Sequence, residues 1–284
     1  MPTAEQLVAS SVTLVTLPEV FARVKQVVDD PRATTIDLAR VISADPGVSA
    51  RILKLINSAF WGFSGRIDSL ARAVSLLGML HVHDLVLATA VVGTFNRIRP
   101  ELMDVAHFWR SSIFRSLAAT ALARNGHLVD LGRVFTEALL SDLGHLIIYL
   151  KAPKLAAQAL EETRTCPWQL AETERALVGC DYAEVGGALT DCWHLPQCFG
   201  ESIRHQNEPR KAQAHCLEAS LLNIAAALDL LRSSKLDRAT LIARIDPYAW
   251  EATGLDPACI EQVQTEAMDG LSATAQLFGV PNET

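Results

Sequence analysis

Apolar residues recur three and four positions apart along nearly the whole chain, and no alternating β-branched run lasts long enough for a strand. The pattern predicts an all-α protein. In residues 46–57 the apolar stripe is Val48, Ile52, Leu55 and Ile56; in 181–193 it is Val185, Ala188, Leu189 and Cys192. Asp45 before Pro46 marks a helix start, with a carboxylate acceptor at the cap and a fixed φ at the first helical residue. Asp181 with Glu184 reads as a capping box, and Asp30–Pro31 ends a helix begun near Pro18. One long helix is predicted from about Asp68 to Phe95, and Pro100, within RIRPEL (Arg97 to Leu102), stops it and can open the next. This seam divides an N-terminal helical lobe, residues 1–98, from a C-terminal helical lobe, residues 99–284. No Gly-, Ser- or Pro-rich linker separates them, so the lobes are expected to pack as one unit. No internal repeat at a fixed period is visible.

Composition narrows the class. The 284 residues are 50% apolar and 20% charged, which suits a folded globular chain. The best apolar run, Leu85 to Phe95, falls short of the roughly 20 residues that span a bilayer, so no membrane crossing is expected. The N-terminus lacks the basic stretch and apolar core of a signal peptide, which points to the cytoplasm. A net charge of -7 and a pI near 5.6 argue against general nucleic-acid binding, which needs a basic surface. Cysteines 166, 180, 192, 198, 216 and 259 contain no CxxC pair and read as buried thiols. Cys192, His194 and Cys198 lack the fourth partner a structural zinc needs.

Three places carry candidate chemistry. His81 and His83 lie two apart on a helix and face nearly opposite ways, so they cannot chelate one ion together. Asp142 and His145, in SDLGHL, lie three apart on one face inside an apolar run. They could belong to a metal site, act as a proton-transfer couple, or satisfy one another in the core. His205 sits between Arg204 and Gln206 in IRHQNEP, as a ligand or as the polar end of a helix. No Gly-rich phosphate loop or nucleophile elbow occurs.

The ordered stretches LVTLPEVFARVKQVVDDP, ISADPGVSARILKLINSAFWGF, IDSLARAVSLLGMLHVHDLVLA, FWRSS, ALLSDLGHL, GCDYAEVGGALTDCWHLP and IRHQNEP together resemble the HDOD family, the HD-related output domains of bacterial signalling proteins. The resemblance covers about residues 13–209, with the later helices closing the same fold. It implies a single HDOD-type helical fold, similar to the HD and HD-GYP metal phosphohydrolases, whose histidines and aspartates hold metal ions that activate water. Against that ligand set, this chain places Ser111 where the first histidine is expected. The His-Asp doublet becomes Ser141 and Asp142, the following basic residue is His145, a further histidine becomes Tyr182, and a histidine doublet is reduced to His205 and Gln206. The last aspartate falls at Asn223 or Ala226, with Asp229 out of register. Only Asp142 and His205 remain as plausible ligands, too few for a catalytic ion, and Asp142 is expected to be neutralised locally, by His145.

In NSAF, Asn57 tolerates the left-handed backbone that closes helices, and Phe60, Trp61 and Phe63 offer an apolar latch within the core or toward a partner.

The functional expectation is a non-catalytic regulatory output domain that contacts other signalling proteins and uses no cofactor. Two alternatives remain: a metal-dependent phosphohydrolase acting on cyclic di-GMP or another nucleotide through Asp142, His205 and Asp229, and a sensor that binds an anionic nucleotide through Arg110, Arg204 and His205 without hydrolysis.

Overall fold

A computed structural model describes residues 1–11, 16–58, 61, 65–95, 101–126, 130–234 and 237–281. Among these residues the regular structure is helical, with no strand. The N-terminal part comprises α1 (Ala4–Ala9), α2 (Glu19–Asp29), α3 (Thr35–Ser43), α4 (Pro46–Ile56), α5 (Leu70–Leu77) and α6 (Met79–Phe95). The C-terminal part begins with α7 (Val105–Asn125), α8 (Leu131–Leu140), α9 (Leu143–Lys151), α10 (Pro153–Glu162), α11 (Leu170–Val178), α12 (Tyr182–Cys192) and α13 (Gln197–Arg204). It closes with α14 (Cys216–Ser233), α15 (Arg238–Ile242), α16 (Pro247–Thr253) and α17 (Ile260–Leu277).

The expected caps form. Asp45 accepts from Val48 N at 2.9 Å with Pro46 in the first turn, and Asp181 and Glu184 exchange reciprocal bonds of 2.8 Å. The stripe Val48, Ile52, Leu55 and Ile56 is buried, as are Val185, Ala188 and Leu189, whereas Cys192 is exposed. Only Cys180 and Cys198 of the six cysteines are fully buried, so the thiols are less uniformly interior than the sequence suggests.

The single long helix expected from Asp68 to Phe95 is two helices, α5 and α6, meeting at a bend of 119°. Gly78 makes the break: its φ of 86° lies where a side chain would be strained, and its N–H closes α5 on Val74 O at 2.8 Å. The turn frees α6 to run through the interior, where its residues are buried on every side from Val82 to Val92. Of the seam at residues 97–102, residues 97–100 lie outside the described residues.

Asn57 closes α4 by a different device from the one expected. Its backbone is not left-handed (φ −84°); its amide Nδ2 donates to Leu53 O and Ile67 O, and its Oδ1 accepts from Ile67 N, each at 2.7 Å. One side chain thus fastens the segment before α5 to the end of α4. Trp61 lies against Phe135, ring centroids 5.9 Å apart, while Phe60 and Phe63 lie outside the described residues.

The buried apolar residues form one cluster extending from Ala4 to Val280. Within it α7 is the axis of the C-terminal part, flanked by α8, α14 and α17, and α6 packs on α8 across the two parts. α1 crosses to the far side and lies on α12 and α9, where Lys151 Nζ donates to Ser10 O at 2.6 Å. By length and hydropathy alone, Gln213–Ser233 matches a membrane span, unlike the run Leu85–Phe95 singled out from sequence. That helix buries Ala219, Leu222, Ala225 and Leu228 against neighbours including α7, α13 and α16, and carries the ion-paired Asp229.

Candidate functional site: an arginine-centred ion cluster and its cleft

The helix α7 carries Ser111 and, one turn later on the same face, Arg115. Asp142 occupies the capping position of α9 but makes no side-chain bond to that helix. Its Oδ1 instead accepts from Arg115 Nη1, while Arg115 Nε donates to Asp229 Oδ2 of α14 at 3.2 Å. All three side chains are at most 12% exposed. Burial works against the Arg115 charge, but Asp142 and Asp229 outweigh it and hold its pKa above the usual arginine value. Arg232, one turn after Asp229, donates to Asp229 Oδ1 from Nη2 at 2.8 Å and to Ser111 Oγ at 3.0 Å. Two cations and two carboxylates therefore balance one another in the interior, which avoids an uncompensated buried charge.

His145 does not neutralise Asp142. Its Nδ1 meets Glu174 Oε1 at 3.1 Å, and the other oxygen of this buried carboxylate accepts from Tyr182 N at 2.9 Å. Burial pushes the His145 pKa down, but the charge and hydrogen bond of Glu174 raise it above its ordinary value. The imidazole stacks on Tyr182, centroids 4.0 Å apart at 17°, and Tyr182 Oη donates to Asn207 Oδ1 at 2.9 Å. Close approach of α9 and α12 permits this stack: a Cβ on Gly144 would lie 1.9 Å from Tyr182 O.

The remaining expected positions divide into two groups. Ser141 and Gln206 are brought together, with Gln206 Nε2 donating to Ser141 O at 2.8 Å, and Asn223 Nδ2 donates in turn to Gln206 O at 2.8 Å. His205 makes none of these contacts. It borders an adjoining surface depression with Arg204, Arg175 and Lys211, and burial followed by the charge of Arg204 lowers its pKa. Arg204 itself pairs with Asp191, and Arg110 is buried on α7 away from the cleft described below. Arg110, Arg204 and His205 therefore do not form the anion site envisaged from sequence. His81 Nε2 pairs with Asp130 at 2.8 Å, and His83 Nδ1 with Asp84 at 2.8 Å.

Arg115, Glu174 and Arg232 are not among the residues expected from sequence, and Asp229, expected there only as an unaligned ligand of a hydrolase, is an ion-pair partner of Arg115. A signal for Arg115 existed in its four-residue spacing from Ser111, and Asp229 and Arg232 share a helix face in the same way.

These residues do not fit the metal centre of the HD-type hydrolases. Both candidate carboxylates are engaged by guanidinium groups, and the Ser111 hydroxyl accepts from one of these, that of Arg232. Among the described residues no group of three or more His, Cys, Asp or Glu is placed to hold a metal ion.

Next to the cluster lies a cleft of about 290 Å³. Arg115, His145 and Tyr182 mark its buried end, and Trp168, Arg175 and Arg244 its more exposed one.

The fold has well-matched counterparts. A candidate phosphohydrolase from Shewanella amazonensis SB2B is 25% identical with a TM-score of 0.72, covering 96% of this chain and 97% of that one. An HDOD domain protein of unknown function from Geobacter sulfurreducens is 19% identical with a TM-score of 0.73, covering 96% and 98%. An uncharacterized protein of Treponema pallidum (strain Nichols) is 25% identical over 203 residues, 70% of this chain; the match spans 39% of that relative's length. Residues 14–209 match the model of the HDOD domain, and the all-helical fold agrees with it, so the chain belongs to the HDOD domain family.

Proposed function

We propose that this chain is a non-catalytic regulatory module of bacterial signal transduction, acting in the cytoplasm through contacts with other signalling proteins. The observation that supports it is Arg115, whose guanidinium joins Asp229 to Asp142, the residue that the resemblance to the HD hydrolases implies as a metal ligand. A fixed organic cation balances the carboxylates but brings no exchangeable water and no Lewis-acid centre. The cluster then contributes stability and shape to a helical scaffold, whose surface is left to recognise partners.

Metal analysis of the purified chain, with turnover assays on cyclic di-GMP, guanosine tetraphosphate and common nucleotides, tests this directly. The expected result is no stoichiometric metal and no multiple turnover; stoichiometric metal together with multiple turnover would overturn the proposal. Affinity capture from the native cytoplasm followed by mass spectrometry addresses the partners.

A second reading, metal-dependent phosphohydrolysis, is favoured by the name of the Shewanella relative. It requires Asp142 to leave Arg115 and become a ligand. Under this reading Asp142→Ala abolishes turnover while helicity is retained, and turnover unchanged by Asp142→Ala excludes it.

A further inference from the structure

The lining of the cleft beside the ion cluster is of two kinds. One is apolar, formed by Leu230 of α14, Leu241 of α15 and Ile245. The other carries the indole of Trp168, which is half-buried, with the Arg244 guanidinium 4.8 Å from its ring centroid. Both kinds of side chain suit a flat ring, because aromatic and aliphatic groups offer dispersion contacts and neither demands hydrogen bonds.

Charge adds a second requirement. Arg115 is balanced by Asp142 and Asp229, and Arg175 by Asp181 at 2.6 Å and Glu208 at 3.5 Å. Glu208 is also held by Lys211 at 2.6 Å. Arg244 makes no ion pair among the described residues and is exposed, so its charge is available to a ligand. Glu172 is an exposed carboxylate in the lining and favours a singly placed anionic group near Arg244 over a highly charged one. Deeper in, Asn207 accepts the Tyr182 hydroxyl and leaves its Nδ2 without an acceptor among the described residues. Buried donors without partners mark places where a missing group belongs.

We infer that this cleft binds a small planar aromatic molecule carrying an anionic group, its ring against Trp168 and its anion on Arg244. The chemistry is shared by an aromatic carboxylate and a nucleoside monophosphate, and the volume suits a ligand of that size.

Calorimetric titration of the full chain with benzoate, adenosine 5′-monophosphate, adenosine and inorganic phosphate tests the assignment and separates the two sources. At least one aromatic anion should bind once per chain, and about tenfold more tightly than adenosine or phosphate. Arg244→Gln and Trp168→Leu, both at accessible positions, should each weaken that binding by about tenfold with the circular dichroism unchanged. No saturable heat with either aromatic anion, equal affinity for adenosine, or binding unaltered by both substitutions would overturn the inference. Binding and turnover are separable here: a bound phosphate ester that is also hydrolysed supports the cleft and sinks the regulatory role, whereas absent binding leaves that role standing.

Discussion

Asp142 and Asp229 reach one guanidinium, that of Arg115, from the turn before α9 and from α14. The three elements α7, α9 and α14 are thereby joined by charge as well as by apolar packing, and removal of the shared partner has consequences that differ between the two carboxylates. Asp229 retains Arg232, whereas Asp142 loses its only ion pair among the described residues.

Arg115→Ala should therefore destabilise the fold by about 3–5 kcal/mol, the usual cost of orphaning a buried charge. Adding Asp142→Asn should recover part of that loss, because the stranded charge is removed. Chemical denaturation of the two single variants and the double variant checks the coupling. Strictly additive losses would contradict the proposed dependence of Asp142 on Arg115.

Asn57→Ala deletes three hydrogen bonds that fasten the segment before α5 to the end of α4. At about 1 kcal/mol net for each bond, the expected loss is about 2–3 kcal/mol. Asn57→Asp keeps the acceptor for Ile67 N but sets a carboxylate oxygen against the carbonyl oxygens of Leu53 and Ile67, so its stability in urea titrations should be no higher than that of Asn57→Ala.

Gly144→Ala places a methyl 1.9 Å from Tyr182 O, against backbone that cannot rotate away. The α9–α12 crossing must open, at about 1–3 kcal/mol or more. The His145–Tyr182 stack should loosen with it, which the near-ultraviolet circular dichroism of Tyr182 reads. Gly187→Ala is a useful comparison, since the nearest atoms to its new Cβ belong to the Arg204 side chain, at 2.8 Å or more, and not to backbone; it should cost less.

Glu137 provides a pH prediction. It is fully buried on α8, neither carboxyl oxygen has a hydrogen-bond partner among the described residues, and Arg133 Nε stands 3.9 Å away. Burial raises its pKa well above the ordinary 4.5, the charge of Glu218 adds to the rise, and Arg133 opposes it. The folded chain thus keeps a proton that the unfolded chain has already released. Stability should fall as pH climbs from the ordinary carboxyl value through the folded one. Glu137→Gln removes this slope, so its stability relative to wild type in urea should improve between pH 5 and pH 8. An unchanged difference at the two pH values would rule out the protonated carboxyl.

Much of the secondary structure was legible because its causes are local. Asp45 and Asp181 cap the helices that follow them, and Val48, Ile52, Leu55 and Ile56 turn one face inward, as their spacing requires. The break at Gly78 is hidden in the sequence because apolar spacing continues through LLGML while the backbone turns. Asn57 ends α4 as its residue type suggests, but its means of doing so depends on Ile67, which only the folded chain brings near.

The site divides along the same line. By itself the sequence determined the all-helical class and the HDOD resemblance, and it singled out Asp142 and His145, although Asp142 lies in the turn before α9 rather than on a helix face shared with His145. Tertiary structure decided their partners: Arg115 for Asp142, Glu174 for His145, and Asp229 as the second acceptor of the same guanidinium. Helical periodicity fixes the direction in which a side chain leaves its own helix, but the group it meets is set by how distant helices pack. A buried charge draws its compensation from whichever element that packing brings within reach.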